Sequence, residues 1–188
     1  MRNRSPIVFF LATGFLLWAQ TGARARQSQN DRVVKADALL AKSSIHAGEA
    51  FKTALLLKIN PGWHINAHDL TDEFLFASAF TFEENDQFTV KEYVYPEAKR
   101  GKYEYSENEL SVYEGEAVIG ALVEAAKNLA PGSYKLKGSF DYQACDQRSC
   151  LPPKTIDVEI TVEVVPTGQE TKDINQEIFE KIKFKGDK

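Results

Sequence analysis

The sequence predicts an all-β domain, an immunoglobulin-like antiparallel β-sandwich with a short C-terminal helix or tail. Three observations carry that prediction. From Val33 onward the apolar residues alternate with polar ones or come in short runs, which is the period of strands and not of helices. The runs are separated by turn chemistry, at Ala47-Gly48, Asn60-Pro61-Gly62, Asn85-Asp86, Ala130-Pro131-Gly132 and Pro152-Pro153. No helical pattern alternates with the strands, so parallel sheets built from βαβ units, the thioredoxin fold among them, are excluded.

In chain order, strands are predicted from Val33 to Ala41 and from Ala50 to Ile59, parted by Ala47-Gly48. Trp63 to Ala67 follows the Asn60-Pro61-Gly62 turn. Ala77 to Glu83 and Thr89 to Tyr95 flank an acidic loop, Glu83-Glu84-Asn85-Asp86, read as solvated. Glu109 to Tyr113 and Glu116 to Ala125 come next. Gly132 to Tyr142 opens from Ala130-Pro131-Gly132, and Lys154 to Val165 begins after the two prolines. Short strands at such spacings point to a sandwich. Trp63, Phe80, Phe82, Tyr93 and Tyr95 are read as core, and Asp72-Glu73-Phe74 as a turn.

The two ends are different in character. Arg2 and Arg4 precede an apolar run from Ile7 to Ala19, and small residues at Ala23 and Ala25 form a cleavage site. Residues 1–25 therefore read as a secretory signal peptide. Their apolar core falls short of the about 20 residues that a spanning helix needs, which disfavours an uncleaved anchor. Cleavage leaves one domain over residues 26–166. Residues 167–188 are a polar tail, in which Ile174, Ile178 and Ile182 predict a short amphipathic helix within Thr171 to Lys185. The formal net charge is −4, and it becomes more negative once Arg2, Arg4 and Arg24 are removed. Nucleic acid is excluded as a partner on that balance. The mature chain is expected to be exported, periplasmic in a double-membrane cell, and not membrane-spanning.

Two cysteines in an exported chain predict a disulfide. They stand in Gly138-Ser-Phe-Asp-Tyr142-Gln-Ala-Cys145-Asp-Gln-Arg148-Ser-Cys150-Leu-Pro-Pro-Lys154, at the tip of a hairpin, where the Cα separation of about 4.4 to 6.8 Å that a bridge demands is within reach. As a staple the placement is poor. Closing about six residues removes only ~2 kcal/mol of unfolded-state entropy, against ~4 to 5 for a loop of a hundred. A bridge on a loop tip is open to a partner's thiolate, and exposed bridges are the exchangeable ones. Arg148 and Lys154 lower a nearby thiol pKa and Asp146 opposes them. Pro152 and Pro153 lack N–H donors, so the chain after Cys150 does not pair as an inner strand. The residues leave two readings open: a redox exchange site, or a non-redox β-sandwich binding module whose hairpin disulfide shapes a loop.

His64 and His68 lie four apart, and with two cysteines a zinc site is conceivable by count. The cysteine spacing and the prolines fit exchange better, so neither metal nor cofactor is expected. If His64 or Asn66 lies beneath the hairpin, it is placed to hydrogen-bond a thiol or help deprotonate it. No nucleophilic triad, phosphate loop or paired carboxylates stand out.

Tyr142-Gln-Ala-Cys145, a short spacer and Cys150-Leu-Pro-Pro153 together resemble the active hairpin of the N-terminal periplasmic domain of the DsbD thiol:disulfide interchange family. Gly62-Trp-His-Ile-Asn66 is similar to that family's early Gly-aromatic-aromatic strand. Gly101-Lys-Tyr-Glu104 with Leu110 resembles the segment after its cap loop, and Tyr95-Pro96 falls where the preceding strand ends. The resemblance covers roughly Val33 to Val165. It implies a domain that takes electrons from a membrane-embedded reductant and delivers them to periplasmic thioredoxin-like proteins, in disulfide repair, cytochrome c maturation or metal handling. Cys150 matches the cysteine that forms the mixed disulfide, and Cys145 the resolving one. The sequence ends at Lys188 without the family's transmembrane region, which implies that the membrane reductant is a separate protein. The cap, expected near Glu97 to Gly101, lacks the family's shielding aromatic; Tyr103 and Phe74 are the candidates to replace it.

Overall fold

The computed structural model describes residues 33–70 and 74–187; the signal peptide reading of residues 1–25 and the turn residues Asp72 and Glu73 lie outside them. The strands are β1 (Val34–Leu40), β2 (Ala50–Ile59), β3 (His64–Asn66), β4 (Ala79–Phe82), β5 (Phe88–Val94), β6 (Lys99–Gly101), β7 (Leu110–Tyr113), β8 (Glu116–Ala125), β9 (Gly132–Tyr142), β10 (Ala144–Cys145) and β11 (Lys154–Val164), followed by α1 (Gln176–Phe179). They form three antiparallel sheets, ordered β1-β2-β8-β5, β11-β9-β4 and β10-β3-β7-β6. The architecture is the expected immunoglobulin-like sandwich.

The first two sheets enclose the main core. Alternation along β2 and β8 turns Leu55, Leu57, Ile119, Ala121 and Val123 inward, against Leu136, Phe140, Val158, Ile160 and Val162 from β9 and β11. Phe80 and Phe82 join this core, and their backbone N–H groups donate to the hydroxyls of Tyr95 (3.0 Å) and Tyr93 (2.8 Å). Those bonds satisfy outward-facing groups of β4, an edge strand, and stitch it to the opposite sheet.

The tail departs from the prediction. Asn175 adopts a left-handed φ of 55°, and only one helical turn, α1, forms. Ile182 and Phe184 instead lie over the outer face of β2 and β8 with Ala54, while Ile174 stays 38% exposed. Gly120 makes the contact possible: a Cβ there would sit 2.6 Å from Ile182 and 2.8 Å from Phe184. A helix this short is marginal alone, and burial of two apolar side chains outweighs the one it would extend. Backbone bonds from Ser43 to Lys172 (2.9 Å) and from Ile174 to Ala41 (2.8 Å) anchor the tail's start.

β9 runs out of its sheet at Gln143 and re-enters another as β10. The register shows why. Tyr142 pairs with Lys154 and Cys145 pairs with Cys150, so Pro152 and Pro153 together oppose the single residue Gln143. This is a β-bulge, a position that tolerates residues without a backbone donor. It bends the hairpin tip away from β11 and onto β3.

Candidate functional site

The cysteine pair sits on the sheet that β10, β3, β7 and β6 build at one end of the sandwich. Cys145 and Cys150 form a disulfide with Cα atoms 4.0 Å apart. That is closer than the sequence reading anticipated. Asp146 N–H donates to the Ser149 carbonyl (2.9 Å) and Leu151 N–H to the Ala144 carbonyl (2.8 Å), which makes Cys145 and Cys150 a non-hydrogen-bonded pair, where antiparallel backbones approach most nearly.

The two sulfurs do not share the exposed loop tip that the sequence suggested. Between the two cysteines only the turn residues 147–149 are exposed; Cys145 is fully buried and Cys150 half-buried. The turn is held by Asp146, whose Oδ1 accepts N–H bonds from Arg148 and Ser149, both 2.8 Å. These donors hold its carboxyl below the usual range. Arg148 is exposed in that turn, and its charge stands beside Asp146.

His64 lies opposite Cys145 in the β3–β10 ladder, so the two side chains leave the sheet on one face. The histidine is 2% exposed, stacks on the Tyr103 ring at 3.9 Å and shares a 2.7 Å hydrogen bond between Nε2 and the Tyr105 hydroxyl. Burial depresses its pKa to about 4, against the opposing charges of Glu114 and Asp146. It is neutral at pH 7 and too weak a base to deprotonate a thiol; hydrogen bonding and packing remain to it. Burial also pushes the Tyr105 hydroxyl up to about 12 and raises that of Tyr103, which donates to Glu114 at 3.2 Å.

The segment expected to form a cap loop is partly a strand. Lys99 to Gly101 is not a loop but the edge strand β6, paired with β7. Tyr103 and Tyr105, two residues apart and facing the same way, stack over His64, the cross-strand neighbour of Cys145. Glu104 N–H donates to the Gln147 carbonyl (3.0 Å) and Gln147 Nε2 to the Lys102 carbonyl (3.3 Å), which tie this segment to the cysteine turn. Gly101 leaves room for the Tyr103 ring, since a Cβ there would lie 2.5 Å from its hydroxyl. Phe74, the other candidate, is 91% exposed.

Asn66 is fully buried and donates through Nδ2 to the Phe76 carbonyl (3.0 Å) and to Gln143 Oε1 (3.3 Å). Gln143 Nε2 in turn donates to the Leu151 carbonyl at 3.1 Å. An amide chain thus runs from Asn66 to the residue after Cys150. The Asn66 Oδ1 is buried without a partner among the described residues. Tyr142 belongs elsewhere: it is buried in the main core, its ring 5.5 Å from that of Phe140, on the face opposite Cys145. Gln143, Gln147 and Tyr105 escaped the sequence reading; the signal that finds Gln143 is its position two before Cys145, on the same strand face.

His68 takes no part, with its ring 3.7 Å from that of Tyr95 and Nδ1 3.0 Å from the Ser78 carbonyl. Among the described residues no group of three or more His, Cys, Asp or Glu side chains is placed to hold a metal. An open cleft of about 540 Å³ adjoins the site, lined by Trp63, His64, Lys99, Tyr103, Glu114 and Gln147.

A β-sandwich with a cysteine pair closed across a bulged hairpin defines a class: small all-β domains with a local hairpin disulfide. The family model described as thiol:disulfide interchange protein DsbD, N-terminal, matches residues 30–162, and the chain belongs to that family. A comparison with curated proteins finds no match. Similar solved structures include the N-terminal periplasmic domain of ScsB from Proteus mirabilis, with 14% identity and a TM-score of 0.48 over 74% of this chain and 51% of that one. The chain thus spans about half the length of that structure. The reduced DsbD N-terminal domain of Neisseria meningitidis matches with 16% identity and a TM-score of 0.40, over 73% of this chain and 88% of that one. A third is the complex of the DsbD and PilB N-terminal domains from Neisseria meningitidis, at 15% identity and a TM-score of 0.37, with 73% and 88% covered.

Proposed function

We propose that this chain is an exported thiol:disulfide exchange module, relaying electrons from a membrane-embedded thiol reductant to periplasmic thioredoxin-like proteins through Cys145 and Cys150. Residues 1–25 direct export, residues 26–166 form the exchange domain, and the tail at 167–188 braces it. The observation that carries this reading is the unequal placement of the two sulfurs. Cys150 is half-buried on the outer strand of the hairpin and meets the partner, whereas Cys145 is buried against neutral His64 and resolves the mixed disulfide. In its reduced form Cys150 attacks a partner disulfide and Cys145 then closes on Cys150, so two electrons and two protons pass to the partner.

The test is the equilibrium redox potential of the pair, measured by thiol trapping across a graded thiol/disulfide buffer. A value above about −250 mV, among known exchange proteins, supports the relay. A bridge that resists reduction at about −300 mV or below in the folded protein ends it, and leaves a binding module with a structural hairpin disulfide.

A further inference from the structure

We propose that Gln143 is a positioning residue for the cysteine pair: its side-chain amide straps the Cys150 strand to the buried Asn66 and keeps the reduced thiols within closing distance. The inference rests on the exchange reading above and concerns how the same site is held once its bond is open.

Cys150 lies on the outer strand of a hairpin that its own sequence weakens. Between Cys150 and Lys154 the chain reads Leu151-Pro152-Pro153, so Leu151 alone carries a backbone N–H there. That N–H donates to the Ala144 carbonyl at 2.8 Å. The ladder with β9 begins only at Lys154, opposite Tyr142. Gln143 stands where the ladder is interrupted, and its side chain supplies a bond that the prolines cannot: Nε2 donates to the Leu151 carbonyl at 3.1 Å. The same amide is anchored from behind. Asn66, fully buried, donates through Nδ2 to Gln143 Oε1 (3.3 Å) and through its backbone N–H to the Gln143 carbonyl (3.3 Å). Asn66 is fixed in turn by its bond to the Phe76 carbonyl (3.0 Å) and by the Ser78 hydroxyl, which donates to the Asn66 carbonyl at 2.6 Å. On the other side of the pair the turn closes on itself, with Asp146 N–H donating to the Ser149 carbonyl and Ser149 N–H to Asp146 Oδ1. Cys150 is thus bracketed by the turn before it and the strapped Leu151 after it.

In the oxidised protein the disulfide fixes Cys150 against Cys145. Reduction removes that tie, and the two bonds at Leu151 then hold the strand on its proline side. Thiols held together have a high effective concentration, which favours the disulfide over the dithiol and speeds closure. When Cys150 is joined to a partner, the Cys145 thiolate attacks the Cys150 sulfur, the Cys145–Cys150 bond forms, and the partner's sulfur leaves as thiolate. Loss of the Gln143 amide costs the oxidised form a hydrogen bond in a strand that the disulfide keeps in place. The reduced form recovers part of that cost as chain entropy when the strand loosens. The variant's disulfide is therefore easier to reduce, and its oxidised form loses more stability than its reduced form.

The purified protein is equilibrated with graded mixtures of reduced and oxidised glutathione, in which protein dithiol and one glutathione disulfide give protein disulfide and two glutathione thiols. Gln143→Leu and Gln143→Met, the second keeping the side chain's length, are compared with the unaltered protein and with Gly120→Ala, whose added methyl group meets the tail. Both Gln143 variants are expected to lower the equilibrium constant for closure about tenfold, the scale of an ordinary hydrogen bond or two, which raises the potential by about 30 mV. Urea midpoints should fall further for their oxidised than for their reduced forms, and Gly120→Ala should keep the unaltered constant. An unchanged constant in both Gln143 variants, with equal losses of stability in the two redox forms, overturns the strap and leaves the exchange reading standing. So does an equal change in Gly120→Ala, because the effect then follows global stability. The exchange reading falls on a different number, the unaltered protein's own potential at about −300 mV or below, and takes with it the strap's role in exchange.

Discussion

His64 and Cys145 stand opposite each other in the β3–β10 ladder, and the buried histidine is covered in turn by Tyr103 and Tyr105. Cys145 is therefore walled on that face by an uncharged imidazole under two tyrosine rings.

The buried histidine makes stability depend on pH. Its folded pKa of about 4 lies below the ordinary 6.5, so the unfolded chain binds the proton more readily. Its contribution is complete above pH 6.5 and is lost as pH falls toward 4, by about 3 kcal/mol at the lower limit. Urea unfolding at a series of pH values checks this against His64→Gln, which should flatten that part of the curve. Parallel curves for the two proteins would show that His64 titrates normally.

The two cysteines should differ in reactivity once reduced. With Cys145 buried and Cys150 half-buried, Cys145→Ser leaves a thiol that iodoacetamide reaches several times faster than the one left by Cys150→Ser. Equal alkylation rates would contradict the assignment of Cys150 as the exchanging sulfur.

Gln143 connects the buried Asn66 amide to the carbonyl after Cys150. Gln143→Leu removes a donor and an acceptor from a site where Asn66 Oδ1 has no partner among the described residues, at an expected cost of about 1 to 3 kcal/mol. Denaturant midpoints at constant slope measure it. A change within about 0.5 kcal/mol would mean that water replaces both bonds.

Gly120 is the seat of the tail. Gly120→Ala puts a methyl group into Ile182 and Phe184 and is expected to cost about 1 to 3 kcal/mol. Hydrogen exchange of the amides at 178–184 should rise by more than that of the core strands. Unchanged protection there would mean that the tail shifts to fit.

Tyr103→Ala removes the ring stacked on His64, the cross-strand neighbour of Cys145. Dithiothreitol should then reduce the disulfide faster than in the unaltered domain, by a stopped assay of free thiols. An unchanged rate would leave the shielding role to other groups.

Strand periodicity, the turn residues and the cysteine hairpin were legible because each is local: alternation within a strand reports its buried face, and glycine or proline marks where the strand must end. The prolines after Cys150 were correctly read as unable to pair within a sheet. That Pro152 and Pro153 form a bulge opposite Gln143 depends on register, a relation between segments that no single stretch encodes. The same holds for the cover. Lys99 to Gly101 pairs as a strand on the edge of β7, Tyr103 and Tyr105 stack on His64, and Tyr142 took a core position by alternation away from Cys145. In the tail the four-residue spacing of isoleucines spoke for a helix. Burial of Ile182 and Phe184 against the flat surface at Gly120 prevailed, because apolar contact with a distant sheet is worth more than the propensity of a short helix. The amino-acid sequence by itself determined an all-β sandwich with a paired-cysteine hairpin; tertiary packing alone decided which cysteine is buried and that it stands opposite His64.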